Sequence, residues 1–165
     1  MKKIAIVMGS ASDLPVVEKA ISTLKQYDVP FAVRILSAHR TPDEAAQFAL
    51  CAREEGFGAI IAAAGKAAHL AGAIAARTTL PVIGLPISSK QLDGIDALLS
   101  TVQMPTGLPV ATVAIDGAVN AALLSLQILA VSDPALAQKL DAARVEGRQK
   151  VIEADAAILQ QYHNE

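Results

Sequence analysis

The sequence predicts an α/β protein of the doubly wound kind, a parallel sheet covered by helices on both faces. Three observations lead there. Five short apolar runs alternate with helical stretches along the 165 residues, the pattern of repeated strand–helix units. Hydrophobic residues make up 53% of the chain but aromatics only 3%. The core must therefore be built from Ala, Val, Ile and Leu, which suit buried parallel strands and close-packed helices. Finally, the first three apolar runs each end in a polar or glycine-containing turn, at the edge where open α/β sheets bind ligands.

The elements follow in order. Ile4 to Met8 reads as a strand ending in Gly9-Ser10-Ala11-Ser12-Asp13. Ser12 or Asp13 can cap a helix running to about Tyr27, with Pro15 tolerated in its first turn. Phe31 to Leu36 is the second strand. After Ser37-Ala38-His39-Arg40-Thr41-Pro42, a helix is expected over Asp43 to Glu55, capped by Thr41. Ala59 to Ala64 is the third strand, followed by Gly65 to Gly72 and a small-residue helix over Ala67 to Thr78. Pro81 to Leu85 is the fourth strand, stopped by Pro86. A helix over Leu92 to Val102, capped by Asp93 and Asp96, leads to a fifth strand, Val110 to Ala114.

Gly117 to Val131 is apolar on nearly every face, and such a helix is expected to be buried all round. A small sheet covers one side only, so a partner subunit is expected on the other. Asp133-Pro134 restarts a more charged helix, Ala135 to about Gln161, interrupted at Gly147. The expectation is one domain, residues 1–165, with 134–163 as a C-terminal helical arm. The topology is a flavodoxin-like, three-layer α/β/α sandwich with strand order second, first, third, fourth, fifth.

Composition excludes several classes of function. A formal net charge of −2 and no basic patch with interleaved aromatics argue against nucleic acid or an anionic membrane as partner. One cysteine, Cys51, rules out an intrachain disulfide framework and reads as a packing residue. The apolar stretch behind Lys2-Lys3 is short and broken by Gly9, Ser10 and Asp13, so neither a signal peptide nor a membrane span is expected. The expected location is the cytoplasm. No cluster has metal-ligand spacing, and no Walker motif or three-glycine dinucleotide fingerprint is present.

In the expected strand order the three turns converge beside the first and third strands. Their chemistry is complementary. Ser10 and Ser12, with backbone N–H groups at a helix start, can receive a phosphate. Arg40 can share it bidentately. Asp13 suits ribose hydroxyls, or equally a helix cap. Gly9 and Gly65 let backbone approach a ligand closely, or serve only as turn residues. His39 and His69 are the groups able to move a proton near neutral pH; His69, between Ala68 and Leu70, also reads as a hydrogen-bonded structural histidine. Lys66 also reads as a solvent-facing residue. From residues alone this is a cytosolic α/β oligomer that binds a small phosphorylated, nucleoside-like ligand, with His39 as acid/base.

Several stretches carry a more specific signal: MGSASD (Met8 to Asp13), SAHRTP (Ser37 to Pro42), AGKAAHLAG (Ala64 to Gly72), the run from Leu92 to Ile115 that contains VQMP, and NAALL (Asn120 to Leu124). On these the chain resembles the class I 5-(carboxyamino)imidazole ribonucleotide mutases of purine biosynthesis, also called the catalytic subunit of phosphoribosylaminoimidazole carboxylase. The resemblance implies a homo-octamer that moves a carboxylate from an exocyclic nitrogen to the neighbouring ring carbon, with no metal, biotin or ATP. It implies that Ser10, Asp13 and Arg40 bind the ribonucleotide and that His39 is the acid/base. Ser12, Ser37 and the Gly65 to Leu70 loop, with Lys66, Ala68 and His69, would line the same pocket. A closed, poorly hydrated pocket walled by Ala63, Ala64, Ala67 and Ala68 would retain carbon dioxide between the two half-reactions.

Two positions depart from the pattern. The usual AGGAAHLPG or AGMAAHLPG is here AGKAAHLAG, which makes Lys66 and Ala71 unusual. The loop at Asp116-Gly117 is also short. Two alternatives stay open: a direct carboxylase acting on aminoimidazole ribonucleotide and carbon dioxide, and a non-catalytic ribonucleotide-binding module on the same fold.

Overall fold

The computed structural model describes residues 1–162. They fall into two compact units, Met1–Leu129 and one from Ala130 onward.

The first unit carries the sheet. Its strands are β1 (Lys3–Met8), β2 (Phe31–Ile35), β3 (Phe57–Gly65), β4 (Val82–Ile87) and β5 (Ala111–Thr112), in the order β2-β1-β3-β4-β5. All four pairings are parallel, as strand–helix–strand crossovers require. The connecting helices are α1 (Leu14–Gln26), α2 (Pro42–Cys51), α3 (Leu70–Ala75) and α4 (Ile95–Val102), and α5 (Ala118–Ala130) follows β5. Side chains alternate across a strand, so each face needs its own cover. On one face Val7, Ile60 and Val82 pack with Phe48 and Ala49 of α2 and Leu70 and Ile74 of α3. The alternate residues Ile4, Ile6, Ile61 and Ile83 are fully buried on the other face, the side of α1 and α5, which line a shared groove. At Gly84 an added Cβ would lie 2.3 Å from Thr101 Cγ2 of α4 and 2.9 Å from Val110 Cγ1, so glycine is what lets α4 approach β4.

The expected strand order is the observed one. Several boundaries differ, each for a local reason. β4 does not stop before Pro86 but runs through it to Ile87. The Pro86 carbonyl accepts from Asp116 N–H on the side where β5 has already ended, so the missing proline N–H interrupts no ladder. The first helix is capped neither by Ser12 nor by Asp13. A single 3₁₀ turn, Ala11–Asp13, precedes it, and the Ser10 side chain accepts from Ser12 N–H. α2 ends at Cys51, not Glu55; Gly56, at φ +87°, turns the chain into β3. α3 starts at Leu70, not Ala67, because Ala68 N–H bonds Lys66 O and His69 N–H bonds Ala67 O, which are tight turns and not helix. Asp93 and Asp96 cap nothing: α4 begins at a left-handed Gly94 with no side-chain cap. β5 is two residues long, not five.

α5 is not buried all round in the single chain. Ala118, Ala121, Ala122, Ser125, Leu126 and Leu129 are buried, while Val119 is exposed. α6 (Pro134–Tyr162) in the second unit is one continuous helix of 29 residues. Gly147 does not interrupt it, since a lone glycine weakens a helix by about 1 kcal/mol without breaking it. The last residue of the expected arm, His163, lies outside the described residues. Among the described residues no helix is long and apolar enough to cross a membrane.

Candidate active site

Three strand ends build the site. The β1 ladder continues past Met8, with Gly9 N–H donating to Ala63 O and Leu36 N–H to Met8 O. These bonds set the turns after β1, β2 and β3 side by side. Together with residues after β4 they enclose a cleft of about 620 Å³ at the carboxyl edge of the sheet. Its walls are Gly9, Ser10, Ser12 and Asp13; Ser37, Ala38, His39 and Arg40; Ala64, Gly65, Lys66, Ala67, His69 and Leu70; and Ile87, Ser88 and Ser89.

The turn after β2 is tied by its own hydroxyls. Thr41 does not cap α2. Its Oγ1 instead accepts from Ser37 N–H at 2.8 Å and donates to Ser37 O at 3.3 Å. Ser37 Oγ accepts from Arg40 N–H at 3.2 Å. The turn is thereby closed on itself, with His39 and Arg40 projecting from it.

Both side chains reach the neighbouring turns. Arg40 Nη2 donates to Gly9 O at 2.8 Å, on the turn that also carries the Ser10 and Ser12 hydroxyls. Those are linked, Ser12 Oγ to Ser10 Oγ at 2.9 Å. His39 Nε2 and His69 Nδ1 lie 2.9 Å apart, with the rings perpendicular and their centroids 5.0 Å apart. One N–H sits between the two nitrogens, donated by either ring according to tautomer. His69 is therefore the hydrogen-bond partner of His39.

Asp13 lies in the cleft wall yet is buried. Burial pushes its carboxyl pKa up from the ordinary 3.8, against the lowering pull of the Ser12 hydroxyl, the backbone at Ser10 and the Arg40 charge. A carboxylate short of solvent is a strong acceptor for a ligand hydroxyl.

Most of the expected residues meet here, with three corrections. Ala68 is buried and does not line the cleft; the tight turn at Lys66 and Ala67 points it into the core. Ala63 is likewise buried beneath the wall. Nor is the pocket closed: His39, Arg40, Lys66 and His69 are all exposed in the single chain. Ser88 and Ser89 were not legible as site residues, because a serine pair after a strand reads as a plain turn. What places them is Asp116, whose Oδ1 accepts from Ser88 N–H at 2.9 Å.

Fold and site define an α/β protein with a polar cleft at the strand ends, lined by an arginine, a buried aspartate and a hydrogen-bonded histidine pair. The chain belongs to the AIR carboxylase family, whose model matches residues 3–150. Over 158 residues it is 52% identical to a Bacillus subtilis protein named N5-carboxyaminoimidazole ribonucleotide mutase, covering 94% of this chain and 98% of that one. A Pyrococcus abyssi protein of the same name is 54% identical over 140 residues, 85% of this chain and 80% of that protein. The crystal structure of Treponema denticola PurE superposes with a TM-score of 0.84 at 30% identity, covering 94% of this chain and 97% of the other.

Proposed function

We propose that this protein is an N5-carboxyaminoimidazole ribonucleotide mutase, converting 5-carboxyamino-1-(5-phosphoribosyl)imidazole to 5-amino-1-(5-phosphoribosyl)imidazole-4-carboxylate in purine biosynthesis. The observation that carries it is the His39–His69 pair at 2.9 Å in the same cleft as Arg40 and Asp13. A module that only binds the ribonucleotide needs the arginine but not the paired histidines.

In this reading Ser10, Ser12 and Arg40 hold the phosphate, Asp13 accepts from the ribose, and Gly9, Ser37, Gly65, Lys66 and Leu70 complete the binding wall. His39 donates a proton to the carbamate nitrogen as the N–C bond breaks and carbon dioxide leaves. The ring carbon attacks that carbon dioxide, forming the new C–C bond, and the now neutral His39 removes the ring proton. One residue suffices because the two transfers run in opposite directions, so no proton is gained or lost overall. The scheme calls for no ATP, metal or other cofactor. His69 orients the His39 ring through the shared N–H.

The proposal includes one catalytic domain over 1–165 with 134–163 as an arm, a cytoplasmic location and a homo-octamer. The exposed row Leu92, Ile95, Leu99 and Val102 on and just before α4 supports assembly. So does the open cleft, which calls for a neighbouring copy to limit water during transfer.

The test uses purified protein without ATP and follows the 4-carboxylate product from two substrates. Efficient use of the carbamate at low bicarbonate is the expected result. Activity only from aminoimidazole ribonucleotide at high carbon dioxide makes the protein a direct carboxylase. Saturable binding without turnover leaves only a binding module.

A further inference from the structure

Lys66 is the residue in the cleft whose presence the fold does not explain. Its φ is +56°, in the left-handed region where an L side chain meets steric strain that glycine avoids. The neighbouring turn is rigid, with Ala68 N–H bonded to Lys66 O at 2.8 Å and His69 N–H to Ala67 O at 2.9 Å. Glycine would serve that turn better, and strained non-glycine residues concentrate where the side chain is used.

The charge in the cleft says what the use is. Among the described residues in its wall, Arg40 and Lys66 are the two basic side chains besides the histidines, and Asp13 is the one acidic side chain. The proposed substrate is anionic at both ends, with a phosphate on the ribose and a carboxylate on the base. Arg40 is committed to the first end, since its guanidinium is held on Gly9 O at 2.8 Å. The second end lies at the His39–His69 pair, and the cation on that side is Lys66, three residues before His69 on the same turn. A lysine ammonium on its flexible stem acts there as a point charge that can follow the group it binds.

We infer that Lys66 binds the carboxylate that the reaction moves, and so sets how much more tightly this enzyme holds carboxylated ribonucleotides than the decarboxylated one. The inference rests on the mutase reading. The ammonium contacts the carboxylate before and after transfer, so it contributes to binding both carboxylated species. It makes no matching contact with aminoimidazole ribonucleotide.

The test is the dissociation constant, by titration calorimetry, of the 4-carboxylate ribonucleotide and of aminoimidazole ribonucleotide for wild type, Lys66→Met, Lys66→Gly and Lys66→Arg. The expected result is about a tenfold weakening for the carboxylated ligand in Lys66→Met and Lys66→Gly, the scale of one charge-assisted contact. Aminoimidazole ribonucleotide should change by less than about twofold, and Lys66→Arg should restore the difference. The wild-type preference should also shrink with added salt. Lys66→Gly should melt higher than wild type, which separates a lost contact from a damaged fold. If both ligands weaken equally, or neither does, while wild type still turns over the carbamate, the inference is overturned and the mutase reading stands. If wild type binds neither ribonucleotide, both are overturned.

Discussion

Replacing Thr41 by valine should reduce turnover while leaving the protein folded. Valine keeps the shape but deletes both hydroxyl bonds across the Ser37–Thr41 turn, at 2.8 and 3.3 Å. The Ser37 N–H is part-buried and loses its acceptor, a cost of about 1–3 kcal/mol for an unpaired donor. The longer second bond adds about 0.5 kcal/mol. The backbone bond from Thr41 N–H to Ser37 O, at 2.9 Å, survives, so the turn loosens without opening. For a chain of this size the melting temperature should fall by about 3–10 °C. The larger effect is expected in catalysis, because this turn carries His39, and a misplacement of about 1 Å can cost a hundredfold. Steady-state assay with the carbamate should show kcat down by about ten- to a hundredfold. Thr41→Ser, which keeps the hydroxyl, should stay within about threefold of wild type. Wild-type kcat in Thr41→Val, or a Thr41→Ser as impaired as the valine variant, would refute the clamp.

Three further outcomes follow from the same geometry. His39→Asn should lower kcat by about 10²–10⁴, the usual contribution of one acid/base group, with ribonucleotide affinity within about threefold; residual turnover above about a tenth of wild type sinks the assignment. Gly84→Ala drives a methyl to 2.3 Å from Thr101 Cγ2. Overpacking of about 1–3 kcal/mol should appear as a drop of several degrees in thermal melting. Thr101→Ser, which removes that methyl but keeps the 2.7 Å bond to Ala97 O, should partly reverse it, and no rescue would place the strain elsewhere. Asp13 has a folded pKa raised above 3.8 by burial. Protonation therefore favours the folded state, and the penalty for the charged form is present at neutral pH and fades as pH falls toward 3.8. Ligand-free Asp13→Asn should thus melt above wild type at pH 7, with the gain shrinking in acid while ribonucleotide affinity is lost; a gain that grows in acid contradicts the sign.

The order of elements was legible because apolar runs of β-branched residues and alanine alternate with helical spacing, and those patterns are local. The parallel order β2-β1-β3-β4-β5 is one of two common doubly wound orders, and the family resemblance, not the element pattern, pointed to it. His39, Arg40, Ser10 and Asp13 could be read as a site because polar turns at strand ends are where such sheets bind. Boundaries were less legible. Pro86 and Gly147 look like breakers, yet whether a proline stops a strand depends on which neighbour its N–H would have faced.

What the sequence by itself determined is the alternation of strands and helices and the family signature, since both are written in residue type and spacing along the chain; the strand order came with the resemblance that the signature carries. What only the tertiary structure decided is which side chains meet. That Thr41 clamps its turn rather than capping a helix, that His39 shares a proton with His69, that Ser88 joins the cleft through Asp116, and that Ala68 turns away from it all depend on hydrogen bonds between or within turns. Such bonds carry little local sequence preference, because the same serine, threonine or histidine can be satisfied by water, by its own backbone or by a neighbour. Only the positions of the surrounding strands select among them.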